Sequence, residues 1–309
     1  MRAEHRHAFL GCSVSLAVTV MATIACSALA QQPYPTRTVR IIVPSTPGGG
    51  TDATARIIAP KLTEFLGQPV VVENRPGAAM VIGAEIVARA APDGHTLLLG
   101  VGTLTINPSM RKKLPYDTIR DFAPVSLIVS LPNVLVSHPS LPTKNVKELI
   151  AFARARPGEL NYGSVGVGSS VHMAMELFLN MTQLKMTHVA YKGSSVGLID
   201  VMSGQISMMM PTLVAGLPHI ASGRVRAYGV TTAKRATGAP QIPTIDEAGV
   251  PGYVANNWFG LLATGGTPGE IINRLHAGVT RALQDADLRK RFINDGAEPV
   301  GSTPDEFAA

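Results

Sequence analysis

Beyond residue 30 the chain has no cysteine, since Cys12 and Cys26 are its only two. That excludes disulfides, thiolate metal sites and a cysteine nucleophile from the remainder. Aromatic residues are scarce at 5%, with one tryptophan, and they do not interleave with basic residues as in a nucleic-acid-binding module. The basic residues are scattered, and the densest runs, Arg111-Lys112-Lys113 and Arg289-Lys290-Arg291, have the composition of solvated faces. Beyond residue 30 no two histidines have the H-x-x-x-H spacing of a helical metal site. The glycine-rich loop Gly48-Gly49-Gly50-Thr51 lacks the Lys-Ser/Thr ending of a nucleotide P-loop. The expectation is therefore no metal, no cofactor and no nucleic acid.

With 309 residues and 46% hydrophobic content, the chain can bury one large or two medium cores. Its 30 glycines and 23 prolines imply many short connections. Arg2 and Arg6 precede an apolar run over 8–25, and Ala28-Leu29-Ala30 is a small-x-small cleavage site, so 1–30 reads as a secretory signal peptide. A membrane anchor fits less well: Ser13, Ser15, Thr19 and Thr23 interrupt the run, and it falls short of the roughly 20 apolar residues a span needs. Thr23-Ile24-Ala25-Cys26 is a poor lipoprotein site. Without Arg2, Arg6 and Glu4 the 27 basic and 21 acidic residues become 25 and 20, a net charge of +5. A mildly cationic exported protein favours anionic small molecules.

The run 39–43 reads as a short buried strand and 53–66 as a helix, with Ile58, Leu62 and Phe65 at helical spacing. Between them lies the loop 44–52. Consecutive glycines let a ligand approach the main chain, and a helix start offers unpaired N–H groups and a positive dipole end. The loop is thus read either as an anion cradle or as a tight turn capped by Asp52 or Thr51. The pattern of strand, small-residue loop and helix recurs at 100–103, 163–170 and 192–195. Asn145 with Glu148 starts a helix over 146–156, and 232–252 reads as a long irregular connection. Alternating strands and helices predict an α/β fold with parallel sheets, whose ligands bind outside the carboxyl ends of strands.

Tyr34-Pro35, the Pro-Gly-Gly-Gly-Thr-Asp loop ending at Asp52, Val71-Val72-Glu73-Asn74-Arg75-Pro76-Gly77, Ala91-Pro92-Asp93-Gly94, Leu114-Pro115-Tyr116-Asp117, Tyr191-Lys192-Gly193-Ser194 and Gly296-Ala297-Glu298-Pro299-Val300-Gly301 follow one another in order. In this series the chain resembles the Bug (TctC-like) extracytoplasmic solute receptors of tripartite tricarboxylate transporters. The resemblance implies a type II-like, two-domain periplasmic binding protein that closes like a flytrap about two crossing hinge strands, near 130–134 and 256–260. It implies a first domain over 31–131 and 251–309 and a second over 132–250. It further implies a monomeric, non-enzymatic periplasmic receptor that binds a small carboxylate, such as a dicarboxylate, amino acid or aromatic acid, and passes it to membrane permease subunits.

Carried over by position, the ligand loops comprise Gly48, Gly49, Gly50, Thr51, Asp52, Val101, Gly102 and Thr103 from the first domain. The second contributes Ser164, Gly166, Gly168, Ser169, Ser170, His172, Tyr191, Lys192 and Gly193. Apart from Lys192 these loops carry no Lys or Arg, so an anion there is held by backbone N–H groups, hydroxyls, helix starts and bridging waters. Val167 stands where the family commonly has Asn, Pro211-Thr212 where it often has Asp-Asn, and Ala79-Met80 where Gly-Asn is usual. These departures imply a less polar pocket and weigh against citrate. Thr303-Pro304-Asp305-Glu306 is a strong helix start. The family continues through a full helix there, which implies a truncated first domain.

Three alternatives attach to these residues. Gly193-Ser194-Ser195-Val196-Gly197 matches the G-x-S-x-G nucleophile elbow, so a serine esterase would use Ser195 with Asp246 and His276. The receptor could instead report to a membrane sensor kinase, which the sequence does not separate from transport. His172 is open to a ligand or a structural role, while His188 reads as structural and Met208-Met209-Met210 as core strand rather than a copper site. For Asp52 the favoured reading is a brace of its own loop.

Overall fold

The structure is a computed structural model that describes residues 34–309. The expected signal peptide, with Arg2, Arg6, Cys12 and Cys26, lies outside the described residues.

Residues 37–309 form one compact unit built on two sheets. The first sheet takes β1 (Val39–Val43), β2 (Val70–Asn74), β3 (Thr96–Val101), β4 (Phe122–Pro132), β10 (Asn256–Thr264) and β11 (Glu298–Pro299), in the order β11-β4-β10-β3-β1-β2. The second takes β5 (Val134–Ser137), β6 (Asn161–Ser164), β7 (Thr187–Ala190), β8 (Met208–Met209) and β9 (Arg226–Val230), in the order β7-β6-β8-β5-β9. Both sheets are mixed rather than parallel. β1 runs parallel to β2 and β3, but β10 is antiparallel to β3 and β4. β6 runs parallel to β7 and β8, but β5 is antiparallel to β8 and β9. The cause is the crossing: β5 enters the second sheet and β10 re-enters the first against the direction of neighbouring strands.

The crossings lie side by side. Pro132 at the end of β4 pairs with Asn256 at the start of β10. Asn133 donates to Thr231 Oγ1 at 2.8 Å, Thr231 N–H donates to the Asn133 carbonyl at 3.0 Å, and Ala255 N–H to the Thr231 carbonyl at 2.8 Å. The first crossing falls within the expected 130–134, and the second, at 255–256, falls at the very start of the expected 256–260. Among the described residues the chain passes between the two sheets only through these extended segments, which gives two lobes and a hinge.

In the first lobe, α1 (Gly50–Leu66) and α8 (Gly269–Gln284) pack together and on β1, β2 and β4. α2 (Val81–Ala88) and α3 (Thr103–Met110) cover a core of Ile42, Leu98, Leu104, Phe122 and Leu262. Sequence spacing misses α3 because Pro108 reads as a breaker. It also misses α9 (Ala286–Asn294), where the basic run hides the buried pair Leu288 and Phe292 at helical spacing and Asp285 caps the start. α10 (Pro304–Ala308) begins with the expected capping box of Thr303 and Glu306. In the second lobe, alternation along the strands feeds two cores. Leu135, Met208 and Met210 pack under α4 (Val146–Arg154) and α5 (Ser170–Thr182), whereas Val134, Val136 and Met209 pack under α6 (Ser194–Met202) and α7 (Leu213–Ala221). The three methionines are fully buried, as the core-strand reading expects, although the regular strand shrinks to two residues.

Candidate functional site

The loop after β1 turns sharply at Gly48, whose φ of +80° is the left-handed conformation that glycine tolerates. Helix α1 starts at Gly50, three residues earlier than its periodicity suggests, and its N-cap is Gly49, with no side-chain cap. Thr51 and Asp52 are therefore helical rather than capping residues. The Asp52 carboxylate turns back to accept from Gly48 N–H at 3.0 Å, from Arg56 Nε at 3.0 Å and from Asn74 Nδ2 at 3.0 Å. Burial by itself would raise its pKa, but these three donors outweigh that and hold the carboxyl below its usual 3.8. Asp52 braces the loop.

The same loop meets the second lobe in two places. A Cβ added at Gly50 would come within 2.3 Å of Thr212 Oγ1, and one at Gly193 within 1.8 Å of Thr46 Oγ1. Glycine at both positions lets the main chains close. The starts of α1, α6 and α7 thereby converge on one spot, and none of the three has a side-chain cap. Their first N–H groups and dipole ends favour negative charge there. Nearby, Thr103 Oγ1 accepts from Ser170 N–H at 3.0 Å, a further bridge between the lobes.

Between these contacts lies a cavity of about 20 Å³, lined by Ser45, Gly49, Gly50, Thr51, Met80 and Val101 from one lobe and by Val165, Ser170, Val171, Ser194 and Thr212 from the other, with Asn257 and Phe259 of β10 at its base. That volume is near the ~10–15 Å³ one water needs in this measure. Ser45 Oγ and Thr212 Oγ1 are buried without hydrogen-bond partners among the described residues. A larger groove, about 1010 Å³, runs along Phe65, His276, Thr280 and Arg281 outside the first sheet. It is an open surface channel remote from the converging helix starts, so size alone does not identify the site.

Of the residues expected from sequence, Gly49, Gly50, Thr51, Val101 and Ser170 line the cavity. Gly102, Thr103, Gly166, Gly168 and Gly193 lie at contacts between the lobes, with Gly166 against Ala79 and Gly168 against Met110. Gly48 and Asp52 shape the opening loop. The others sit outside the lining. Ser169 caps α5 through His172 N–H, Lys192 is exposed, and Tyr191 donates to Asp200 at 2.6 Å, with burial and that carboxylate raising its pKa to about 12. Ser164, His172 and His188 belong to a cluster below the 164–170 loop. The two imidazoles are 4.3 Å apart, and Ser164 Oγ lies 2.6 Å from His188 Nε2. Tyr162 stacks on both rings and donates to Glu176.

Sequence reasoning missed Ser45, Met80, Val171, Ser194, Thr212, Asn257 and Phe259 as lining, while Val165 falls within the expected ligand loop 164–170. Ser45 was within the opening loop and Thr212 at a departure from the family pattern, but Asn257 and Phe259 reach the cavity through the hinge strand and carry no local signal. Ser195 Oγ bonds to Thr46 Oγ1 and the Pro47 carbonyl, both at 2.9 Å, and neither Asp246 nor His276 is among its partners. Among the described residues no group of three or more His, Cys, Asp or Glu is arranged to hold a metal, and no helix is long and apolar enough to cross a membrane.

Comparison with known proteins places this architecture. The chain is 40% identical over 275 residues to protein BugT of Bordetella pertussis, covering 88% of this chain and 84% of that one. A solved structure of an R. palustris protein with adipate superposes with a TM-score of 0.86 at 40% identity, covering 89% of this chain and 92% of that one. MatC from Rhodopseudomonas palustris with bound malate superposes with a TM-score of 0.85 at 35% identity, covering 89% and 95%. Residues 54–308 match the tripartite tricarboxylate transporter family receptor, TctC, and the chain belongs to that family of periplasmic solute receptors.

Proposed function

We propose that this chain is a periplasmic receptor that traps a small carboxylate between its lobes and delivers it to the permease subunits of a tripartite tricarboxylate-type transporter. The reading extends to this chain the ligand class of the adipate- and malate-bound relatives. One observation carries it: three uncapped helix starts from two lobes meet at an enclosed cavity that contains two unpartnered hydroxyls. Neutral donors of this kind hold a carboxylate yet release it.

The working units are a first domain over 31–131 and 251–309 and a second over 132–250, acting as a monomer. Gly49, Gly50, Thr51, Val101 and Ser170 contact the ligand directly. Gly48 and Asp52 hold the first loop in shape, and Gly102, Thr103, Gly166, Gly168 and Gly193 form the closing surfaces. The chain acts by capture, without chemistry on its ligand. Binding favours the closed arrangement because both lobes then engage the same molecule. Thermal melting of the purified protein with mono-, di- and tricarboxylates and amino acids tests this. At least one carboxylate raises the Tm by several degrees, and a folded protein that none of them stabilises overturns the reading.

A further inference from the structure

Ser45 is 4% exposed and Thr212 5%, and both hydroxyls open on the interlobe cavity without a partner among the described residues. A buried hydroxyl that bonds to nothing is costly to retain. Thr212 makes the point most clearly. It occupies the N-cap of α7, where a threonine normally bonds the N–H two or three residues on, yet it makes no such bond. Its Oγ1 instead lies over Gly50 at the start of α1.

The rest of the wall is uncharged and mixed, with Thr51, Ser170, Ser194 and Asn257 as its other polar side chains. Met80, Val101, Val165, Val171 and Phe259 supply apolar surface, and Val101 and Phe259 are paired neighbours on β3 and β10. No Lys, Arg or His lines the cavity. The fourth nearby helix start, that of α5, has two of its first donors already engaged: Ser170 N–H goes to Thr103 Oγ1 and His172 N–H to Ser169 Oγ. A second carboxylate would be desolvated against valines and a phenylalanine with no cation to balance it.

We infer that Ser45 and Thr212 are the side-chain ligands of one carboxylate, held with the starts of α1, α6 and α7, and that the site selects short acids with a single negative charge and an apolar body. This rests on the carboxylate-receptor reading above and narrows it. Thr212 fixes specificity because it brings a donor and a methyl group to the boundary between the polar and apolar walls.

The test is titration calorimetry with butyrate and succinate, four-carbon acids that differ by one carboxylate, on the wild-type protein and on Thr212→Val, Thr212→Ser and Ser45→Ala. Butyrate binds at least tenfold more tightly than succinate. Thr212→Val weakens butyrate about tenfold while leaving the Tm unchanged or higher, since it removes an unpaired hydroxyl; Thr212→Ser restores binding, and Ser45→Ala weakens it severalfold. Succinate binding more tightly than butyrate, or Thr212→Val lowering the Tm with no change in affinity, overturns the inference and leaves the receptor function standing. Failure of every mono-, di- and tricarboxylate to bind overturns both.

Discussion

Thr46 Oγ1 lies 2.9 Å from Ser195 Oγ, which joins the loop after β1 to the start of α6 across 149 residues of sequence. Ser195 also donates to the Pro47 carbonyl at 2.9 Å, so one serine ties two residues of the opposite loop. Hydrogen bonds of this kind contribute about 0.5–1.5 kcal/mol each, and the partly exposed position favours the lower end. Ser195→Ala therefore weakens ligand binding about fivefold by calorimetry, with little change in the Tm of the unliganded protein. Covalent labelling of Ser195 by a phosphonate ester probe would contradict this latch role.

Gly193 allows that latch to form. Its backbone is extended, with φ at 179°, so alanine meets no conformational strain there. The obstacle is contact, because the new Cβ would overlap Thr46 Oγ1 and come within 3.0 Å of the Thr46 backbone nitrogen. Gly193→Ala folds normally but holds the lobes apart. Small-angle scattering is expected to show no ligand-induced compaction in the variant, and its affinity falls at least tenfold.

Asp52 is 4% exposed and bonded to Gly48, Arg56 and Asn74. Asp52→Asn keeps the volume but gives up the pairing with Arg56 and presents an amide N–H to donors that need an acceptor. The expected loss is about 1–2 kcal/mol, since Arg56 is largely solvated and hydrogen bonds to charged groups run to about 3 kcal/mol. Urea denaturation measures it. A larger fractional loss in affinity than Ser195→Ala is also expected, because the whole glycine loop relaxes.

The imidazole pair predicts a pH dependence. Burial lowers the pKa of His172 and of His188 below 6.5; His172 lowers His188 further, and Glu176 opposes the shift in both. Both rings therefore take up protons less readily when folded, and the unfolded chain protonates first. Their contribution is complete above about pH 6.5 and is lost as pH falls from there through the folded values. His219, also lowered by burial, adds to the same window, whereas the lowered aspartates act below about pH 4. Melting curves at pH 7.5 and 5.0 should show a clear drop in Tm. His188→Gln lowers the Tm at pH 7.5 and reduces the difference between the two pH values.

Phe307 of α10 packs into the space above Gly260 on β10, where a Cβ would lie 2.2 Å from its ring, and stacks edge-on to Trp258 at 5.3 Å. Gly260→Ala expels the ring, and Phe307→Ala removes it. Each costs about 1–3 kcal/mol, less than a fully buried phenylalanine because Phe307 is only partly covered. Tryptophan fluorescence of Trp258 reports the change directly.

Part of this was legible in residues alone. Asn145 with Glu148 and Thr303 with Glu306 cap the helices they were expected to cap, because capping depends on atoms three residues apart. The cleft loops follow strands β1, β3, β6 and β7 as the alternating pattern requires. α3 and α9 were lost because a proline and a charge run masked short amphipathic helices. The parallel-sheet expectation failed at β5 and β10, whose directions are set by passage between lobes rather than by local composition.

The alternating elements, the glycine-rich loops at strand ends and the ordered motifs that mark the receptor family are written in the chain, since these depend on neighbours along it. That Thr212 sits over Gly50, that Thr46 meets Ser195, and that Ser45 and Thr212 share a cavity with Phe259 emerges in three dimensions alone. Those relationships arise when a hinge brings two independently packed lobes face to face, and contacts made across such a gap leave no periodicity or spacing in the chain that makes them.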